Sequence, residues 1–180
     1  SPKPYILAVG QLSQHKGFDL LIRAFANVAS NHPNVQLLIA GEGDQRHVLE
    51  NLIHENQLTE QVKLLGKVDE AQVAALMAGC LFVAMPSRRE PFGIVALEGM
   101  AAGKPVLATS IGGLPEFLPC PPNRMVAPNE ADWAEALEEW LLAAQKGPAL
   151  VEQNLLSAKA FDWSNTAQKY LNVYAESIKK

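Results

Sequence analysis

LFVAMPSRREPFGIVALEGMAAGKPVLATS, residues 81–110, decides the fold. It opens with LFVAMPS (81–87), an apolar run without polar alternation that ends in small and polar residues. The chain turns at Pro91 and Gly93, passes through the helical segment GIVALEGMAAG (93–103), and re-enters an apolar run, PVLATS (105–110). Runs apolar on both faces are parallel strands covered by helices on each side. Strand, helix and strand in this order make one right-handed βαβ unit.

The same alternation extends outward. ILAVG (6–10), VQLLIAG (35–41) and VKLLG (62–66) are further strand runs, and RMVAP (124–128) is a weaker sixth. Helical segments lie between and after them: 16–30, 44–57, 69–80, 130–147 and a last one from about Ser164. Asp69 and Gln72 have capping-box spacing at the start of one, and Gly147-Pro148 stops another. The expected fold is α/β, a doubly wound parallel sheet of about six strands with helices on both faces. The chain, 1–180, reads as one such domain. PCPPN (119–123) is the nearest thing to a linker. The aromatics Phe161, Trp163, Tyr170 and Tyr174 of the last segment read as packing residues.

Composition narrows the function. The 180 residues are 48% hydrophobic and 19% charged, with a formal net charge of -4. That balance argues against nucleic acid and membrane surfaces, whose binders carry a basic excess. Cys80 and Cys120 have no metal-like or CxxC spacing. Cys80 reads as a core thiol and Cys120 as a loop residue. Nothing points to an oxidising compartment, so a cytoplasmic setting is expected. No stretch is long and apolar enough to span a bilayer. The opening SPKPYILAVG enters a strand almost at once, which reads as a domain continuing a longer chain.

In open α/β sheets, ligands bind beyond the carboxyl ends of the strands where strand order reverses. For the order 3-2-1-4-5-6, the loops at that point are GQLSQHKG (10–17) and SRREPFG (87–93). The first matches neither GxGxxG nor GxxxxGK[ST]. It offers Gly10, Gln11 and Lys16, with Lys16 expected at a helix start that favours an anion. The second carries Glu90, followed by a helix whose free amides, around Phe92, Gly93, Ile94 and Val95, face the crevice. Glu98 lies roughly 7–8 Å further along that helix, among Ile94, Val95, Leu97 and Met100. A carboxylate beside such a run calls for polar partners. Two carboxylates so spaced suit the hydroxyls of one elongated ligand better than joint work on one bond. Solvated helix charges are the bland alternative. Gly41, in the turn after the second strand, is a further close-approach candidate.

These residues resemble the carboxyl-terminal, nucleotide-sugar-binding domain of a family-4 retaining glycosyltransferase with the GT-B fold. The resemblance runs over about residues 5–175 and rests on AVGQLSQHKGFDLLIRAF, LLIAGEGD, VKLLGKV, SRREPFGIVALEGMAAGKPVLATSIGGLPEFL and the closing FDW…Y…VY. It implies that Glu90 and Glu98 are a Glu-x7-Glu pair: the first meets the donor sugar near its reacting centre, and the second holds ribose hydroxyls. It implies Lys16 against the diphosphate leaving group, and amides near Phe92–Val95 against sugar and diphosphate. Gly66, Lys67 and Val68 are implied to frame the base. It also implies transfer with retention, no metal and no cofactor, and a nucleotide sugar as partner. The acceptor, a sugar, lipid or small molecule, is implied to bind an amino-terminal domain outside this chain, as is any peripheral membrane contact. The final helix is implied to lean toward that domain and to leave an apolar patch here, and the isolated domain is expected to transfer little.

Two departures from the family pattern stand out. Gln11 occupies a position where the family commonly has arginine, and an amide lacks the charged bidentate grip of guanidinium. Arg124 replaces a usual glycine. Arg88 and Arg89 read as solvated or bridging locally. A non-catalytic nucleotide-sugar-sensing domain and a nucleotide-sugar epimerase-like domain remain open alternatives.

Overall fold

The structure, a computed structural model, describes residues 3–144 and 151–178. Six strands, β1 (Tyr5–Val9), β2 (Gln36–Ala40), β3 (Val62–Gly66), β4 (Val83–Met85), β5 (Val106–Thr109) and β6 (Arg124–Val126), form one sheet in the order β3-β2-β1-β4-β5-β6. Every neighbouring pair is parallel. β1 pairs through Leu7 with Leu38 on one side and Val83 on the other. This is the expected doubly wound order, with its reversal between β1 and β4.

Among the described residues eight helices accompany the strands: α1 (Phe18–Ala26), α2 (Arg46–Glu55), α3 (Glu70–Gly79), α4 (Ile94–Ala101), α5 (Leu114–Phe117), α6 (Glu130–Ala144), α7 (Glu152–Lys159) and an exposed α8 (Trp163–Ile178). Because both faces are covered, strand residues alternate between two cores. Ile6, Ile39 and Leu107 pack with Phe25 of α1 and Trp133 and Leu137 of α6. Leu7, Val83 and Val106 pack on the opposite face with Met77 of α3 and Met100 of α4. Fully burying one such side chain stabilises by about 1.5–3 kcal/mol. The α3 capping box forms as spaced: Asp69 Oδ1 accepts from the Gln72 amide at 2.8 Å, and Gln72 Oε1 from the Asp69 amide at 2.9 Å.

Three expectations need correction. Residues 119–123 are no linker. Asn123 is buried, accepts from the Val106 amide at 2.9 Å, and exchanges amide hydrogen bonds with buried Asn154 at 2.8 Å in both directions. The segment thus ties β5 to α7. The aromatics of the last segment do not fill this domain's core. Trp163 is 87% exposed, and Tyr170 and Tyr174 are also exposed. Phe161 alone of the four meets other aromatics, with ring centroids 5.5 Å from Phe117 and 6.3 Å from Phe92. Third, Lys16 does not open α1; it closes a separate 3-10 turn, Gln14–Lys16, before Gly17. The Gly147-Pro148 stop expected for α6 lies outside the described residues. Cys80 is buried and Cys120 exposed, as read.

Candidate functional site

The loops leaving β1 and β4 meet where the strand order reverses. Lys16 Nζ donates to Glu90 Oε2 at 2.7 Å, and the Ser87 hydroxyl donates to the same oxygen at 3.2 Å. Glu90 is 8% exposed, so the ion pair and hydroxyl satisfy a carboxylate largely removed from water. The Arg88 and Arg89 amides both donate to the His15 carbonyl, at 2.7 and 3.3 Å. Gly17 makes this approach possible. Its φ is +69°, and a Cβ there would overlap the Pro86 carbonyl oxygen.

Arg88 completes the junction. Its guanidinium donates to both Asp19 oxygens, at 2.6 and 2.9 Å, and to the Gln14 carbonyl at 2.9 Å. Asp19 also accepts from Arg23 at 2.9 Å. Partial burial pushes the Asp19 carboxyl up, but the hydrogen bonds and charges of Arg88 and Arg23 outweigh it, leaving the group below the usual carboxylate range. Arg88 thus bridges locally. The sequence marked neither Asp19 nor its pairing, because residues 69 apart share no local pattern.

α4 starts at Gly93, whose φ of +98° turns the chain into the helix. Among the described residues, the amides of Phe92, Gly93, Ile94 and Val95 donate to no protein acceptor. They form the positive end of the helix and face the space beyond the sheet's carboxyl edge. The β5 loop braces this turn from behind: at Gly112, φ +56°, a Cβ would overlap the Glu90 carbonyl oxygen. At the same edge Gly10 donates to the Ala40 carbonyl at 3.0 Å, and Gly41 to the Gly66 carbonyl at 2.9 Å. Gly10 after β1, Gly41 after β2 and Gly66 at the end of β3 therefore stand side by side.

Beside this edge lies a groove of about 630 Å³ between α3 and α4, floored by Val9 and walled by Val68, Val73 and Met77. Its two carboxylates are Glu70 and Glu98. Glu98 is exposed at the rim rather than set in the apolar run that flanks it in sequence, because Ala96, Gly99 and Met100 are the α4 residues turned to the sheet. The groove wall still removes part of its hydration, and Glu70 adds a like charge. Both hold the Glu98 carboxyl above its usual range. The site therefore has two parts: an apolar groove containing Val68 and Glu98, and a charged junction containing Lys16 and Glu90. Gln11 and Lys67 are exposed, and no side-chain hydrogen bond of either occurs among the described residues. The Gln11 carbonyl closes the first turn by accepting from the Ser13 amide at 2.8 Å. Glu70 drew no notice in the sequence beyond the capping segment, since helix N-termini commonly carry acids.

Among the described residues, no group of three His, Cys, Asp or Glu side chains is placed to hold a metal ion, and no helix is long and apolar enough to cross a membrane.

A family model described as "Glycosyl transferases group 1" matches residues 1–154. The chain is 37% identical over 180 residues to an uncharacterised glycosyltransferase of Methanocaldococcus jannaschii, covering 94% of this chain and 44% of that protein. Among solved structures, sucrose-phosphate synthase from Thermosynechococcus elongatus superposes with a TM-score of 0.85 at 29% identity, over 98% of this chain and 46% of that one. Anabaena HepE, solved in complex with UDP-glucose, gives 0.83 at 28%, over 96% and 48%. The chain thus spans under half the length of these relatives, and its Rossmann-like fold matches one portion of their GT-B architecture. It belongs to the glycosyl transferases group 1 family.

Proposed function

We propose that this chain is the donor-binding domain of a retaining glycosyltransferase and binds a nucleotide diphosphate sugar across the two-part site. The observation that supports the reading is the position of the groove: it holds Val68 and Glu98 at the same sheet edge as the α4 amides. The groove's apolar walls suit a flat base, and Glu98 at its rim suits ribose hydroxyls. The α4 amides suit the diphosphate and sugar, with Glu90 beside the sugar. Lys16, now on Glu90, has its ammonium within reach of the leaving diphosphate. Positive charge and oriented amides at that point lower the barrier to bond cleavage without a metal. The acceptor and its linkage belong to a further domain of a longer protein. That a similar protein is solved with UDP-glucose favours a uridine nucleotide as the first probe.

One observation favours a second reading, a non-catalytic sensor of nucleotide sugars. Gln11 is neutral and exposed in the same loop as Lys16, and Arg88 is committed to Asp19, so Arg88 does not replace a missing guanidinium. Calorimetric titration with UDP-, GDP- and ADP-glucose tests the donor reading. Saturable binding of one, weakened by Glu98→Ala and Lys16→Ala, is expected; no binding of any overturns it. Transfer by a protein joining this chain to an acceptor domain separates enzyme from sensor.

A further inference from the structure

We infer that Arg88 is a positioning residue: it clamps the turn after β1 against the turn after β4 so that Lys16 and Glu90 meet across the junction. Lys16 and Glu90 come from chain segments 74 residues apart; Lys16 ends a short 3-10 turn, and Glu90 sits on a loop. Something must fix the distance between those loops. Arg88 does so from one residue. Its side chain takes the Gln14 carbonyl at 2.9 Å, and its amide takes the His15 carbonyl at 2.7 Å. Both acceptors lie in the three-residue turn that ends in Lys16. The fork then closes on both oxygens of Asp19, a residue of α1 whose carboxylate Arg23 steadies from the same helix. The turn is therefore held at its body and, through α1, at its exit.

The fork geometry matters. A guanidinium makes two parallel bonds to a carboxylate and still has a donor for a carbonyl, which a lysine ammonium cannot match in one plane. The Arg88 side chain is 38% exposed and Asp19 22%. Pairs this open to solvent add little to the stability of a fold. What the pair contributes is orientation.

The first arm of the test needs no ligand. In the full chain with selectively labelled lysine, the NMR signals of the Lys16 side chain are compared between the wild type and Glu90→Gln, then again in an Arg88→Gln and an Asp19→Asn background. The wild type should show a clear shift on Glu90→Gln, and both backgrounds should largely abolish it while the melting temperature stays nearly constant. Arg88→Lys should fail to restore it. A shift of full size in Arg88→Gln overturns the inference, as does its absence in the wild type or a collapse of the melting temperature in both backgrounds. The second arm rests on the donor reading: UDP-glucose affinity should fall roughly tenfold in Arg88→Gln, and Asp19→Asn should add little to that. If the wild type binds no UDP-glucose while the NMR result holds, the donor reading loses its uridine probe and the clamp stands. Unchanged affinity in Arg88→Gln overturns the clamp as a contributor to binding.

Discussion

Lys16 Nζ and Glu90 Oε2 stand 2.7 Å apart, and this ion pair is one of the contacts that join the two loops at which the sheet reverses its strand order. Lys16 is 21% exposed and Glu90 8%. The two partners are therefore unequal, and losing one differs from losing the other.

Lys16→Met leaves the Glu90 carboxylate desolvated with the Ser87 hydroxyl as its remaining side-chain partner. An unpaired buried charge of this kind costs about 1–3 kcal/mol. Glu90→Gln returns the more exposed lysine to water and should cost about 1 kcal/mol or less. Urea unfolding at pH 7 measures both. Equal losses would show that Glu90 is better solvated than its burial indicates.

Gly112→Ala tests the brace behind Glu90. The new Cβ would overlap the Glu90 carbonyl oxygen, a backbone atom that can yield only if the β4–α4 turn moves. A loss of about 2–4 kcal/mol is expected from overpacking against backbone at a left-handed position. Gly43→Ala, beside the Leu12 backbone, should also destabilise but leave the Lys16–Glu90 contact in place. Circular-dichroism melting gives the stability. The Lys16 side-chain NMR signals tell whether the junction survives.

Glu98 and Asp19 give opposite dependences on pH. Partial desolvation and the charge of Glu70 raise the Glu98 carboxyl in the folded state. The folded protein then binds that proton more readily than the unfolded chain does. Stability from this group is fully present below its unfolded value and is lost as pH rises through the folded value. Glu98→Gln should therefore stabilise at pH 7, by about 0.5 kcal/mol at this exposure, and lose the advantage below about pH 4. Asp19, held down by Arg88 and Arg23 against its burial, contributes stability above its unfolded value and loses it as pH falls through the folded value. Asp19→Asn should destabilise only slightly at pH 7, by about 0.5 kcal/mol or less for so open a pair, and become neutral at strongly acidic pH. Melting temperatures across pH 3–8, roughly the span of carboxylate titration and beyond, distinguish the two profiles.

Much of this was legible because it depends on local chemistry. Continuous apolar runs such as VQLLIAG announce strands covered on both faces, and Asp69 with Gln72 announces a helix start; both follow from neighbours in sequence. The pairing of the loops after β1 and β4 follows from topology once six strands are counted. Arg88 with Asp19 does not, since nothing near either residue says which distant charge it will meet. Glu98 looked enclosed because Ile94, Val95, Leu97 and Met100 surround it in sequence, yet a helix sends neighbouring residues to different faces. Trp163, Tyr170 and Tyr174 carry the apolar spacing of a core helix, and sequence alone does not say that this domain offers α8 no surface to cover them.

That difference between α6 and α8 is itself measurable. Trp133 is fully buried and Trp163 is 87% exposed. Trp133→Ala should cost about 3–5 kcal/mol, and Trp163→Ala no more than about 0.5 kcal/mol. Chemical denaturation of the two variants checks this. A large loss from Trp163→Ala would mean that α8 packs against the chain in solution.

On the proposed reading, the groove between α3 and α4 and the amides at the start of α4 receive one nucleotide sugar. A crystal structure of the chain with UDP-glucose tests it most directly, with GDP-glucose and ADP-glucose as parallel soaks. The base is expected against Val68, the ribose on Glu98, the diphosphate at the Phe92–Val95 amides, and Lys16 drawn toward the phosphate. A nucleotide lodged on another face, or a groove still empty at saturating donor, would contradict it.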